Sequence, residues 1–427
     1  MSTPEATKIP DPLTQAVSTV AVSKLYLWGL GLAQFGIFVA LLSPVYVSMQ
    51  LKAQELAPTE AAATAMIASV LPIGALGALF ANPLAGALSD RTRTRWGRRR
   101  PWLLGGSIVF IVGLAVVAYA QGTGQLIVGW LICQVAANAT YSTLTASFAD
   151  NVPQFQRGRA SSIISLAQNG AVLFGTYLAV FFAFNLPVLF IAPGFLALAL
   201  VIVYAFVARD ELPTAPIKKF TFLNIISSFW TNPIKNPDFA FAWWSRFLII
   251  FATFMFTTYR LFYMQHQIGL GKQQAVEAVA FGVLLYTIAL IASTAVSGWL
   301  SDKLGRRKIF VGGSTALFAV GLIILAHTST LGAFYLAEVI MGFAYGIYAS
   351  IDTALVVDVL PNADKPGKDL GVINIANALP QSLAPAFAGL LLGIGSAAGQ
   401  NYTLMLWGAG IIGIVGALAV IPIKRVR

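Results

Sequence analysis

The chain has 427 residues, of which 58% are hydrophobic and only 10% charged, with a mean hydropathy of +0.78 and a formal net charge of +11. A soluble domain carries about 25% charged residues, so a purely water-soluble fold is excluded. The single cysteine, Cys133, excludes an intrachain disulfide and a cysteine metal cluster, and His266 and His327 are too few and too far apart in sequence for a histidine metal site. No metal and no cofactor is expected.

Residues 1–23 form a polar tail with no apolar core of a cleavable signal peptide. Apolar runs long enough to cross a bilayer as helices then follow. The first six cover Leu25–Val47, Ala62–Leu88, Trp102–Ala120, Gln125–Phe148, Ala160–Phe184 and Pro187–Val207. Residues 209–240 are the longest polar interruption, with four prolines, and read as a central linker. Inside it Phe220–Trp230 is too short to span and suits an interfacial helix. Six more runs follow at Phe241–Gln265, Ala275–Leu300, Ile309–His327, Leu331–Val357, Leu370–Ile394 and Tyr402–Ile423. The fold expected is an all-α membrane protein of twelve transmembrane helices in two six-helix halves. The domains are a tail (1–23), a first half (24–208), a central loop (209–240) and a second half (241–427).

Charge sets the orientation. Of the 27 lysines and arginines, Lys52 and Lys272 fall on one side of this arrangement, and Arg246 and Arg260 fall within a span. The remaining 23 share the other side. Positive charge accumulates on the cytoplasmic face, so both termini are expected there, in the plasma (inner) membrane. A nucleic-acid binder would gather its basic residues on one soluble surface; here they recur at every second loop.

Two loops repeat. Gly86–Pro101 reads G-A-L-S-D-R-T-R-T-R-W-G-R-R-R-P, and Gly298–Lys308 reads G-W-L-S-D-K-L-G-R-R-K. Gly86 and Asp90 match Gly298 and Asp302 at an offset of 212, and the first copy has four extra residues before its next glycine. Asp150-Asn151-Val152-Pro153 likewise matches Asp358-Val359-Leu360-Pro361 at an offset of 208. Internal repeats half a chain apart indicate homologous halves. Asp90 and Asp302, beside Arg98, Arg99, Arg306 and Arg307, can accept charge-assisted bonds, and the spacing predicts a latch between the halves. The plainer alternative is that these charges only set topology.

The complete G-x-L-x-D-(K/R)-x-G-R-R pattern of Gly298–Arg307 resembles the loop signature of the major facilitator superfamily. The longer first copy, S-D-R-T-R-T-R-W-G-R-R-R-P-W, is similar to that of the glycoside–pentoside–hexuronide:cation symporters and the sucrose-transporter-like branch. The resemblance implies alternating access and favours a sugar or glycoside moved with a cation, a proton or alternatively sodium. It also implies that the first, fourth, seventh and tenth spans line a central cavity, which favours Gln34, Asn138, Tyr141, Tyr259, Tyr345 and Tyr348 as substrate contacts.

Ionisable groups inside spans are functional candidates. Asp352 lies six residues before the end of the tenth span, about 9 Å deep by helix rise, and is the first candidate for a coupling proton. Glu338 is the second, although it is close enough to the opposite surface to serve structure alone. Arg246 is expected to snorkel to the surface. Arg260 either pairs with Glu338, faces substrate, or snorkels outward. Asn377 and Gln381 add polar groups near the midplane of the eleventh span. Sugars need paired donors and acceptors with flat apolar faces, which amides and tyrosines supply; for any one residue, a helix–helix hydrogen bond worth about 0.6 kcal/mol is the plain alternative. A catalytic constellation is not visible, so an enzyme is not expected. Proton-driven efflux of drug-like compounds and a non-transporting membrane sensor remain as alternatives, and a monomer in the lipid bilayer is the expected state.

Overall fold

In the computed structural model the described residues are 21–208, 210, 231–361, 366–396, 400–424 and 426, without the side chains at 75, 299, 302, 366–368, 370 and 371. Most of the polar tail and the whole of Phe220–Trp230 lie outside them. The described chain is helical. The first span runs from α1 (Lys24–Ser43) through a π-helical turn (Pro44–Ser48) into α2 (Met49–Leu56). It is followed by α3 (Glu60–Ser89), α4 (Arg100–Ala118), α5 (Thr123–Asn151), α6 (Gln154–Phe182) and α7 (Leu186–Val207). The second half holds α8 (Pro237–His266), α9 (Lys272–Leu304), α10 (Arg307–Ala326), α11 (Leu331–Asp358), α12 (Pro366–Gly393) and α13 (Tyr402–Ala419).

Eleven of these segments are long and apolar enough to cross a membrane. The twelfth, α5, falls short because Gln134, Asn138, Thr140, Tyr141, Ser142 and Thr143 interrupt its apolar run. Local chemistry sets the starts. The side chains of Ser23, Thr59, Asn185, Thr330 and Asn401 accept the N–H three residues on, which satisfies a donor that the helix leaves open. Span one overshoots its expected end at Val47 by nine residues. A π turn is locally tolerated in an apolar helix and extends it without a break in hydropathy.

The halves repeat each other's packing. In the first, α3 packs on α5, α4 on α5 and α7, and α1 on α5, α6 and α7; in the second, α9 packs on α11, α10 on α11 and α13, and α8 on α11, α12 and α13. Each pair in one half has its counterpart in the other. The α9–α11 contact rests on Gly342 and Gly346, one turn apart, whose missing side chains let the backbone of Tyr286 and Leu290 come close. Between halves, α3 packs on α12 and α6 on α9. These contacts exchange under the same two-fold relation. At Gly389 a Cβ would stand 2.6 Å from that of Ala68, so the α3–α12 seam has no room for a side chain there. Pro72 and Pro83 on α3 and Pro380 and Pro385 on α12 place helix-bending residues on both sides of this seam.

Candidate functional site

The helices carry three groups of polar side chains, at the arginine-rich end, within the bundle, and at the opposite, far end. At the basic end, Arg99 is buried and gathers three acceptors. Its Nη1 donates to Ser89 Oγ (2.6 Å), and its Nη2 lies 2.5 Å from Asp90 Oδ1 and 2.9 Å from Asp150 Oδ2. Arg98 donates to Asp150 at 2.7 Å and sits 3.9 Å from Asp90. Asp210 Oδ2 accepts the N–H groups of Arg99 and Arg100 at 2.8 and 2.9 Å, a cap on α4. The four extra residues of this loop make a tight turn closed by Gly97 N–H to Thr94 O (3.0 Å), with Gly97 at φ +101° where a side chain would be strained. In the second half Arg307 donates to Asp358 at 2.5 Å, and Gly305 at φ +61° ends α9. Arg306 is exposed, and the Asp302 side chain lies outside the described set.

The sequence pairs Asp90 with its arginines across the halves. The structure places Arg98, Arg99, Asp90 and Asp150 within the first half, where they tie the end of α3 to the end of α5. Arg99–Asp150 and Arg307–Asp358 are the same bond at the same offset of 208. Gly86 faces Ser142 Oγ on α5, and Gly298 has open space around it.

Within the bundle the halves differ. In the first, Gln168 Nε2 donates to the buried Gln34 Oε1 (2.8 Å), joining α6 to α1. Tyr141 packs edge-on to Phe38 at 5.4 Å. Asn138 donates to Gln134 O and Oε1 one turn earlier on α5. In the second, α8 and α11 run antiparallel and are joined by two buried ion pairs. Arg246 Nε donates to Asp352 Oδ2 at 2.6 Å, with a second bond from its Nη2. Arg260 Nη1 donates to Glu338 Oε1 at 3.0 Å, with the Tyr46 ring under its guanidinium at 5.7 Å. Arg246 therefore does not reach the surface, because a partner is available within the bundle and an unpaired charge would be costly there. Arg260 does not snorkel outward either. The arginines are 14 residues apart, as are the carboxylates, which puts the two pairs about 21 Å apart along the helices.

Tyr345 stands seven residues from each carboxylate and packs against Tyr348 (5.6 Å), Phe318 (6.2 Å) and Tyr286 (6.4 Å). Asp352 and the Tyr348 hydroxyl are buried side by side and interact with each other. Tyr259 turns away from this region and donates to Pro385 O on α12 at 2.9 Å, so its hydroxyl is used in packing. Asn377 is half-buried and Gln381 exposed on α12. The substrate candidates thus fall into a Gln34–Gln168–Tyr141 group and a Tyr345–Tyr348 group beside Asp352, and do not form one hydrogen-bonded cluster. Among the described residues no group of three His, Cys, Asp or Glu side chains could hold a metal.

At the far end the halves touch directly. Gln50 Nε2 donates to Thr258 O at 2.6 Å, Gln54 pairs with Gln265, and Gln273 Nε2 donates to Val180 O at 3.2 Å. His266 Nε2 lies 3.1 Å from Glu60, and its Nδ1 lies 2.8 Å from the Tyr402 hydroxyl. Sequence reasoning passed over Gln50, Gln54 and Glu60 and weighed His266 only as a metal ligand, since polar residues at span ends carry no hydropathy signal. The matched 14-residue spacing of Arg246/Arg260 and Glu338/Asp352 was a legible signal for the ion pairs.

These features define a membrane bundle of two six-helix halves related by a pseudo-two-fold axis. The family model of the major facilitator superfamily matches residues 27–385 and 273–427, and the chain belongs to that superfamily. It is 26% identical over 313 residues to the glucose transporter GlcP of Staphylococcus epidermidis, covering 64% of this chain and 66% of that protein. It is 30% identical over 143 residues to the uncharacterized symporter sll1374 of Synechocystis sp., with 29% of this chain and 25% of that protein covered. It is also 28% identical over 140 residues to MdtD of Salmonella paratyphi B, a protein named for multidrug resistance, with 32% and 28% covered. The matched segments thus span about a quarter of the last two proteins and two thirds of the first. Among solved structures, a mutant of the nucleoside transporter NupG aligns with a TM-score of 0.74 at 12% identity, covering 93% of this chain and 99% of that one. The D-xylose-proton symporter aligns at 0.68 and 15%, covering 93% and 96%. At these identities the likeness is one of fold.

Proposed function

We propose that the protein is a secondary active transporter that moves a small polar solute, a sugar or glycoside, together with a proton by alternating access. The observation that carries this reading is Asp352. It is a carboxylate buried in the bundle, with one oxygen held by Arg246 and the Tyr348 hydroxyl beside it. Protonating such a group releases its arginine, and a carrier needs a linked event of this kind to couple ion and solute. Glu338, held by Arg260, is the second coupling candidate. Gln34, Gln168, Asn138 and Tyr141 on one side and Tyr345, Tyr348, Asn377 and Gln381 on the other supply the amide and aromatic chemistry that suits hydroxylated rings. The similarity to GlcP supports a sugar.

In this reading the arginine-rich end is cytoplasmic, both termini lie there in the plasma (inner) membrane, and the halves are residues 24–208 and 241–427 with 209–240 as the linker. The loop contacts of Asp90 and Asp150 with Arg99 in the first half and of Asp358 with Arg307 in the second fix helix ends within each half, the anchor on which a latch between halves would rest. The resemblance to MdtD and the aromatic group around Tyr345 favour efflux of a drug-like compound as the second reading.

Counterflow of a panel of labelled sugars in proteoliposomes tests the assignment: exchange of at least one sugar is expected, and exchange of none with transport of a cationic dye would favour efflux. Asp352→Asn keeps size and hydrogen bonding but cannot titrate. It is expected to lose accumulation driven by a pH gradient while keeping exchange of labelled for unlabelled solute. Wild-type accumulation by this variant would show that Asp352 is not the coupling group.

A further inference from the structure

The π turn of the first span and the far-end contact between halves meet at one residue, Gln50. In an α-helix the Met49 N–H would bond to Val45 O. Here it bonds one residue further back, to Pro44 O, which takes the ordinary donor away from the Val45 carbonyl. The Gln50 side chain replaces it, with Nε2 donating to Val45 O at 2.7 Å. The same Nε2 donates to Thr258 O at 2.6 Å, on α8 of the other half. Gln50 is completely buried, and two carbonyl acceptors fix which end of its amide faces them. Ahead of the loop insertion the halves are offset by 212, so Gln50 corresponds to Phe262, and Thr258 lies one turn earlier on the same helix. The contact joins the first and seventh spans, which hold corresponding places in the two halves. One turn further, Gln54 pairs with Gln265 on the same pair of helices.

We infer that Gln50 is the positioning residue of the far-end gate: its amide clasps the π turn of the first span to α8 and holds the transporter closed on the side opposite the arginine loops. The inference rests on the alternating-access reading above. To open that side, the halves must separate along this line, and the bond to Thr258 O is broken while the bond to Val45 O, within one span, persists. The π turn is thereby kept in register through the cycle, ready to re-form the clasp.

The experiment uses the full chain on a Cys133→Ala background in lipid nanodiscs without solute. Spin labels are placed in pairs, at Pro58→Cys with Gln274→Cys for the far end and at Arg159→Cys with Leu304→Cys for the basic end. Distance distributions are read by pulsed electron resonance. Gln50→Leu is expected to raise the ratio of far-end-open to closed molecules about fivefold, the ratio that one net hydrogen bond of about 1 kcal/mol corresponds to. The basic-end distance should shorten in the same molecules. A merely structural role would broaden both distributions and would not move them in opposite directions. Gln54→Leu is expected to give a smaller shift of the same sign and decides the matter if Gln50→Leu does not fold. Far-end distances unchanged in a folded Gln50→Leu, or in Gln54→Leu should the first not fold, would overturn the inference. A sugar panel with no exchange would overturn the sugar reading and leave the distance result standing.

Discussion

The two halves have the same helix packing and the same arginine–aspartate bond at one end, yet different interiors. Between α1 and its neighbours the polar contact is an amide pair, Gln34–Gln168. Between α8 and α11 there are two buried ion pairs, Arg246–Asp352 and Arg260–Glu338. The backbone pattern thus does not dictate which chemistry fills the interior. A buried amide pair adds about 1 kcal/mol and leaves little behind when removed. A buried ion pair adds little as a pair, but losing one partner strands a charge at a cost of about 3–5 kcal/mol. The second half is therefore the one in which a proton, by neutralising a single carboxylate, changes the internal balance most.

This contrast can be broken by mutation. The largest effect is expected for Glu338→Met, which strands Arg260 and should destabilise the protein by about 3–5 kcal/mol in thermal unfolding in detergent. The double variant Arg260→Met with Glu338→Met should recover most of that loss; no recovery would show that the pair is not the source of the cost. Next is the basic end. Asp150→Asn disturbs Arg99, which is buried with several acceptors, and should cost about 2 kcal/mol, whereas Asp358→Asn disturbs a partly exposed pair and should cost less than about 1 kcal/mol. Equal losses would mean that the two loops are equally built. The smallest effect on stability is expected for Gln34→Leu combined with Gln168→Leu, below about 1 kcal/mol, because both partners of one neutral bond are removed together. If the pair contacts solute, the same variant should nonetheless lose most exchange activity; full exchange would assign it to packing.

Much of the fold was readable because hydropathy is a strong signal over 20 residues and the repeats at Asp90/Asp302 and Asp150/Asp358 fixed the halves. The π turn was not, since Pro44-Val45-Tyr46-Val47-Ser48 is apolar and a proline there reads equally as a stop. Arg246 was misplaced because depth alone suggested a route to the surface, whereas its partner lies 106 residues away. The Arg99–Asp150 bond was half visible: both residues sat in repeated segments, but the four-residue insertion before Gly97 shifted the offset and hid their pairing. Tyr259 looked like a cavity residue by span, and helix rotation turned it toward Pro385.

The bond that Arg99 makes to Asp150 and Arg307 makes to Asp358 also carries information about descent. A contact written at the same place in both copies of a doubled unit is most simply inherited from the single copy. The ancestral six-helix unit then already had its loop tied to the end of its fourth helix, and the ion pairs between α8 and α11 belong to the history of one copy after the halves parted. Two buried ion pairs, on this account, were fitted to a scaffold whose loop anchor was already in place.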